Sequence, residues 1–517
     1  MKSSGISTLR RLANIINEAI DEIEGVYAAA DLPLPQLDAP FNPADPAEAL
    51  LQNTTVEAAT LNIMAAAAQL SATVASPAVS ALNASQAFHI SACLRVASEM
   101  NVVEVLREAG PAGLHANEIA APSKTDPLLL ARILRLLATH NIFREVTPNV
   151  FANNRISSVL DKGKPSKMLV ENRDERLTGT SGFAAYVEVF ADHNMKCVAM
   201  LADTMLHPKE GELGFNRAYR TTESFWDWLH RPENVYQMQR LQIGMRGSTA
   251  VESTDAIHKG FNWSGLPTGS VLVDVGGGTG HVSLAIVQKY PGLCVIVQDL
   301  EDTIKDSKIY WKKNLPSHVE SRMVDFQVHD FHTPQPVPNA AVFMLRNIVH
   351  NWSDERVVKI LRHLRDAAQP TTKLLVIERI LVSAARASHS GEEAIPGSER
   401  PLAPAPLLAN WGVGKASMYY LDVSMHCILG GVERTLEHFV EVFAKGGWKL
   451  VQVHHPDGSG KSHIVGVPGV GVGVGVGVEL KQIASASCII RAEGRHRAPA
   501  PGIDDENEAG VGQRASE

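Results

Sequence analysis

The sequence predicts an α/β protein: a doubly wound, mostly parallel sheet preceded by an all-helical region. Three observations predict it. From about residue 270 short apolar runs alternate with helical stretches. One of those runs passes into a glycine turn and then a helix. Upstream of residue 262 the apolar spacing is mostly that of helices.

The chain has 517 residues, 45% hydrophobic and 20% charged, with a net charge of -8. That balance suits a soluble protein with a sizeable core and gives no basic footprint for phosphate backbones. No apolar run reaches the length of a membrane span, and the first twenty residues lack the continuous apolar stretch of a secretion signal. Cys93, Cys197, Cys294, Cys427 and Cys488 are odd in number and far apart. They suggest neither a disulfide framework nor a zinc knuckle, so no metal is expected and a cytoplasmic location is.

Taken in order, residues 1–80 read as N-terminal helices and a linker. Leu9, Leu12, Ile16, Ile20 and Ile23 fall at helical spacing across 7–29, a stripe read as packing rather than membrane anchoring. A proline-rich stretch at 31–48 reads as broken linker, and 56–73 as helix again. Residues 81–165 give helices and then a hairpin around Pro148-Asn149, with Asp126 capping a helix that starts at Pro127. This winged-helix pattern ordinarily means DNA binding. The would-be recognition helix at 127–140, however, carries only Arg132 and Arg135 among Leu, Ile and Ala, which points to dimerisation instead. Residues 166–262 read as a helical connector. Residues 263–468 hold the sheet, with strands expected at VLVDV, CVIVQDL, VDFQVHDF, AAVFMLRNI, KLLVIERIL and WKLVQVHH. A Pro/Ser/Gly-rich insertion covers 384–412, and 469–517, opening on a Gly-Val repeat, reads as a disordered tail.

The chemistry concentrates at strand ends. Asp274 ends a strand that enters Gly276-Gly277-Gly278-Thr279-Gly280 and then a helix. Glycines let a ligand approach the backbone, and a helix start offers free N–H donors. A dinucleotide loop would place a third glycine where His281 stands. The spacing instead favours a loop cradling the amino-acid portion of S-adenosylmethionine. Asp299, ending the next strand, is placed to accept both ribose hydroxyls. His350 follows the fourth strand, where an imidazole facing a cleft can take a proton near neutral pH. Glu378 ends the fifth strand, and Glu433 sits in GGVERT before a helix.

Together LVDVGGGTG, VQDL, HDF, RNIVHNWSDE, VIERIL and GGVERT, in that order, resemble the plant-type, caffeic-acid-like family of small-molecule O-methyltransferases, in particular its fungal members. The resemblance covers about residues 85–467. It implies a Rossmann-like methyltransferase domain behind a winged-helix dimerisation domain, with a homodimer, a hydroxylated aromatic acceptor and S-adenosyl-L-methionine as methyl donor. It implies that Gly276 and Gly278 line the cofactor, that Asp299 holds its ribose, and that Asp330 and Phe331 flank the adenine. Arg346 stands where the family usually has lysine. His350 is the implied general base, bracketed by Glu378 and Glu433. Asn351 departs from the aspartate usual after the base.

A phenol needs only a modest base, which fits one histidine. Met245, Trp226 and Met425 are candidate acceptor walls, with Phe215, Trp411 and Met418, although core packing explains each as well. A nicotinamide oxidoreductase, a catalytically inactive regulator and a transferase acting on nitrogen or a carboxylate are the alternatives. No nucleic acid and no membrane are expected as partners.

Overall fold

The computed structural model describes residues 4–248, 255–386 and 395–469. The tail expected at 469–517, from residue 470 on, and the middle of the insertion lie outside the described residues.

Helix α1 (Ser4–Ala29) packs along α2 (Thr54–Val74). Between them Leu12, Ala65 and Ala66 are buried together with Ala403 and Leu407 of the insertion. The linker is not wholly irregular: Asp45 caps a single helical turn at Pro46–Ala49 by accepting from Ala47 N at 2.9 Å. Pro46 at the first helical position is compatible with that start.

The next region holds α3 (Pro77–Gln86), α4 (Phe88–Glu99), α5 (Val102–Ala109), β1 (Leu114–His115), α6 (Ala116–Ala120), α7 (Pro127–Thr139), β2 (Arg144–Thr147) and β3 (Val150–Ala152). The strands form a small sheet in the order β1-β3-β2. The sequence suggests one helix from Ser85 through Leu106. The structure divides that stretch, because Asn101 adopts a left-handed φ of 57° and ends the run; asparagine tolerates that conformation better than most residues. Asp126 caps α7 through Leu128 N at 2.9 Å. Arg135, one of the two fixed cations of α7, is held by Glu145 at 3.0 Å and Asn149 at 2.8 Å.

The connector includes α8 (Phe183–Val189), α9 (Gly214–Tyr219), α10 (Phe225–Leu229) and α11 (Val235–Gly247). Its aromatics pack on one another: Phe215, 1% exposed, lies 5.4 Å from Phe225 and 5.7 Å from Trp228, centroid to centroid. Phe215 is therefore an interior residue.

The large sheet contains β4 (Val271–Val275), β5 (Cys294–Asp299), β6 (Val324–Val328), β7 (Val342–Arg346), β8 (Lys373–Glu378), β11 (Trp448–His454) and β12 (Ser462–Pro468), in the order β11-β12-β8-β7-β4-β5-β6. Strands β4 to β8 are parallel, and β12 runs antiparallel between β8 and β11. The short β9 (Ile380–Leu381) and β10 (Arg434–Thr435) pair separately. The sequence reading names no strand at 462–468; its Gly466 and closing proline mask it. Helices α12 (His281–Lys289), α13 (Glu301–Asn314), α14 (Asp354–Ala367), α15 (Ala416–Leu429) and α16 (Leu436–Lys445) complete the domain. Two apolar layers, one around Phe343 and Leu361 and one around Val297 and Trp311, hold the sheet. Strand order reverses beside β4, so the crevice at the carboxyl ends of β4 and β7 is where such sheets bind ligands.

Candidate active site

Every motif singled out in the sequence comes to that one edge. After β4 the chain turns through Gly276, Gly278 and Gly280 with φ of 68°, 61° and 73°. Side chains rarely adopt such values. Space forbids them too at two positions: a Cβ on Gly276 would lie 2.7 Å from Ile348 Cδ1, and one on Gly280 would lie 2.4 Å from Trp311 Nε1. At Gly278 the space is open, which leaves its backbone approachable.

Asp274 is buried beneath this turn and accepts from Ser283 Oγ at 2.7 Å. Burial pushes its carboxyl up to about 6, against the pull of Ser283 and Arg346. Asp299, half-buried at the end of β5, accepts from Gly278 N at 2.9 Å and from Leu300 N at 2.8 Å. The acid thus joins the second strand to the glycine turn. Phe331 leans over the same turn, its Cε1 3.3 Å from the place a Gly276 Cβ would take. Asp330 is exposed beside it and accepts from His332 N. Arg346 ends β7 and acts electrostatically on Asp274.

The second half of the site is a turn, Val349–Asn351, carried on the end of β7. His350 is nearly buried, its side chain 12% exposed, with Nδ1 2.7 Å from Glu433 Oε1 and 3.9 Å from Glu378 Oε2. A carboxylate can only accept, so Nδ1 carries the proton and Nε2 is left as the basic nitrogen. The two acids do different work. Glu433 orients the ring. Glu378 accepts from the backbone of Val349 at 2.9 Å and of His350 at 3.4 Å, and so holds the turn. Burial pushes the imidazole pKa down, but Glu378 and Glu433 outweigh it, and the net shift is upward. Burial likewise raises Glu378.

Several residues of this site escaped sequence reasoning. Arg434 is buried and donates to Val349 O, Val432 O and Trp352 O at 2.9–3.0 Å and to Asp354 at 2.8 Å. It stitches the His350 turn to the GGVERT loop. Gly431 meets that turn so closely that a Cβ would lie 2.2 Å from His350 O. Asp422 on α15 accepts from Glu433 N at 3.0 Å. Lys461, buried just before β12, opposes protonation of His350. Only an arginine following the glutamate of GGVERT hinted at any of this.

Asn351 has a local explanation: its Nδ2 donates to Asn347 O at 3.0 Å. An ionised aspartate could not make that bond. Of the wall candidates, Met425 is half-buried on α15, the helix that packs against the His350 turn. Met245 and Trp226 stand at 47% and 36% exposure on α11 and α10. Trp411 and Met418 line a separate small pocket.

The close approach at Gly431 makes a prediction. Gly431→Ala forces the two loops apart, costing about 1–3 kcal/mol as overpacked sites do, and lowers turnover. Urea unfolding and steady-state rates measure both.

A glycine turn, an acid on the second strand and a histidine–glutamate pair, all on one edge of a doubly wound sheet, define a small-molecule transferase domain. Family models agree: residues 82–163 match an O-methyltransferase dimerisation domain and 199–395 an O-methyltransferase domain. An O-methyltransferase of Armillaria gallica is 40% identical over 474 residues, spanning 89% of this chain and 99% of its own. The 4-O-methyltransferase 1 of Phanerochaete chrysosporium is 38% identical over 460 residues, 87% of this chain and 96% of its own. The structure of OxaC in complex with sinefungin and meleagrin shares the fold, with a TM-score of 0.60 at 20% identity over 88% of this chain and 98% of that one. The chain belongs to the O-methyltransferase family. The enzymes of this family take their methyl group from S-adenosylmethionine.

Proposed function

We propose that the protein transfers the methyl group of S-adenosylmethionine to a phenolic hydroxyl of a small aromatic metabolite, with His350 as general base. The observation that carries this reading is the 2.7 Å contact between His350 Nδ1 and Glu433, which leaves Nε2 free to accept a proton. The residues present fit the cofactor: the open backbone at Gly278 suits its amino-acid end, Asp299 its ribose, and Phe331 with Asp330 its adenine. The cofactor supplies an electrophilic methyl. The protein holds the hydroxyl in line and removes its proton, which positioning and one tuned base can accomplish. Glu378 and Glu433 keep the imidazole in place and favour its protonated form once the proton has arrived.

The dimerisation-domain match supports a homodimer, as do the exposed Leu82, Phe88 and Leu128 on its helices. Calorimetric titration tests the cofactor site. S-adenosylhomocysteine should bind and NAD should not, and Asp299→Ala should weaken the former by about tenfold or more, the loss of a charge-assisted hydrogen-bond pair.

One observation favours a second reading. His350, Glu378 and Glu433 each offer a donor atom within 4.8 Å of the others, close enough to hold a metal ion. Against it, the proton on Nδ1 is given to Glu433 and Glu378 accepts backbone N–H groups. Dialysis against EDTA should leave turnover unchanged, and its loss with recovery on adding a divalent cation would support the metal.

A further inference from the structure

The insertion holds one bulky residue in a backbone conformation that side chains rarely adopt. Trp411 has a φ of 59°, and Gly412 follows at 50°. A left-handed tryptophan costs free energy and persists only where its surroundings over-determine it. The surroundings do so. Asn62, on α2, accepts from Trp411 Nε1 at 3.0 Å. Lys415 sets its Nζ 4.5 Å from the centroid of the indole. Asn410 accepts from Gly412 N at 3.0 Å and donates to Tyr419 Oη at 2.8 Å. Leu61 closes on the same turn, since a Cβ on Gly414 would lie 2.8 Å from its Cδ1.

Asn410, Lys415 and Tyr419 are neighbours of the turn in sequence. Asn62 is not: 349 positions separate it from Trp411. It belongs to the N-terminal hairpin, which grips the insertion elsewhere as well. Gln69, further along α2, donates to Pro406 O at 2.9 Å, and Leu12, Ala65 and Ala66 are buried with Ala403 and Leu407.

The turn stands at the head of α15, which runs unbroken from Ala416 to Leu429, on the order of 20 Å. The other end of that helix passes into the loop of Glu433. Gly430 N donates to His426 O at 3.0 Å and Gly431 N to Met425 O at 3.1 Å. Asp422, on the helix itself, accepts from Glu433 N at 3.0 Å. A rigid helix carries a tilt at one end to the other. The turn at its head therefore bears on where Glu433 meets the ring of His350, and in-line transfer tolerates little misplacement.

We propose that Asn62 is a positioning residue for the methyl transfer: it latches the left-handed turn at Trp411 and, through α15, holds Glu433 at its distance from His350. The N-terminal hairpin thus takes part in setting the base. This deepens the reading of His350 as general base and rests on it.

The test is proton NMR of the full-length, S-adenosylhomocysteine-loaded protein labelled with 15N-histidine. The Nδ1 proton that His350 shares with Glu433 gives a downfield resonance, assigned by its absence from His350→Ala. Asn62→Ala should shift or broaden it, and so should Trp411→Phe, which keeps an aromatic ring and removes the N–H. Each should slow methyl transfer to 2-naphthol about threefold to tenfold, the range one hydrogen bond can account for, with affinity for S-adenosylhomocysteine unchanged in calorimetry. The double variant should be no worse than either single one, because both remove the same bond. Asn62→Asp, which still offers an acceptor to the indole, should restore resonance and rate. Melting temperature reports whether each variant folds, and Trp411→Phe keeps the test alive if Asn62→Ala does not. A resonance unmoved by both substitutions, or losses that add in the double variant, overturn the latch. A moved resonance with normal turnover leaves the latch standing and sinks His350 as the base instead.

Discussion

Replacing His350 with alanine lowers turnover by about 10²–10⁴-fold, the usual worth of a positioned general base, and leaves affinity for S-adenosylhomocysteine unchanged. The separation follows from geometry. The imidazole is tied to Glu433 and Glu378, while the glycine turn and Asp299 are held by their own contacts. Near-normal turnover would remove the histidine from the mechanism. The pH profile is a second readout. On the proposed mechanism His350 must be unprotonated to act, and its pKa is raised, since Glu378 and Glu433 outweigh burial. Turnover should therefore rise with pH through a midpoint above the ordinary histidine value of about 6.5. Glu433→Gln removes one of the charges and should move that midpoint down. Stability runs the other way: protonated His350 stabilises the fold fully below the unfolded value, and the contribution is lost as pH rises through the higher folded one. A midpoint at or below the ordinary value in the wild type would contradict the electrostatics.

Arg434→Leu is expected to destabilise the protein by about 3 kcal/mol and to abolish most activity. The guanidinium is buried and serves three backbone carbonyls and one carboxylate. Removing it leaves those carbonyls without a donor inside the fold, which costs more than the bond itself returns. The ion pair contributes less, because the Asp354 side chain is 40% exposed and keeps His438 at 2.7 Å. Activity falls because the carbonyls belong to the His350 turn and the GGVERT loop, and their alignment sets the distance from Glu433 to the ring. Urea unfolding gives the first quantity and steady-state kinetics the second. A stable Arg434→Leu protein with normal turnover would show that the loops hold themselves.

The sequence already carries much of the strand-and-turn order, and the acids and histidine at strand ends could be named from it. Those features are local: alternating apolar runs, a glycine turn, a charged residue where a run stops. What stayed hidden is distant or context-bound. His350 and Glu433 are 83 positions apart, and no spacing says which acid meets the ring and which the backbone. Arg434 looks like an ordinary surface cation until four acceptors converge on it. Gly431 reads as loop flexibility, although its need is proximity. Strand β12 is weak in pattern because its neighbours β8 and β11 supply the pairing. The break at Asn101 depends on one residue's backbone conformation, which apolar periodicity ignores.

The shared burial of Leu12, Ala65 and Ala66 with Ala403 and Leu407 makes the first helical hairpin and the insertion one inheritable module. Neither has a complete interior without the other. A chimera that carries the insertion into a relative lacking the hairpin would expose both apolar faces, so exchange between such enzymes succeeds only when the two pieces travel together.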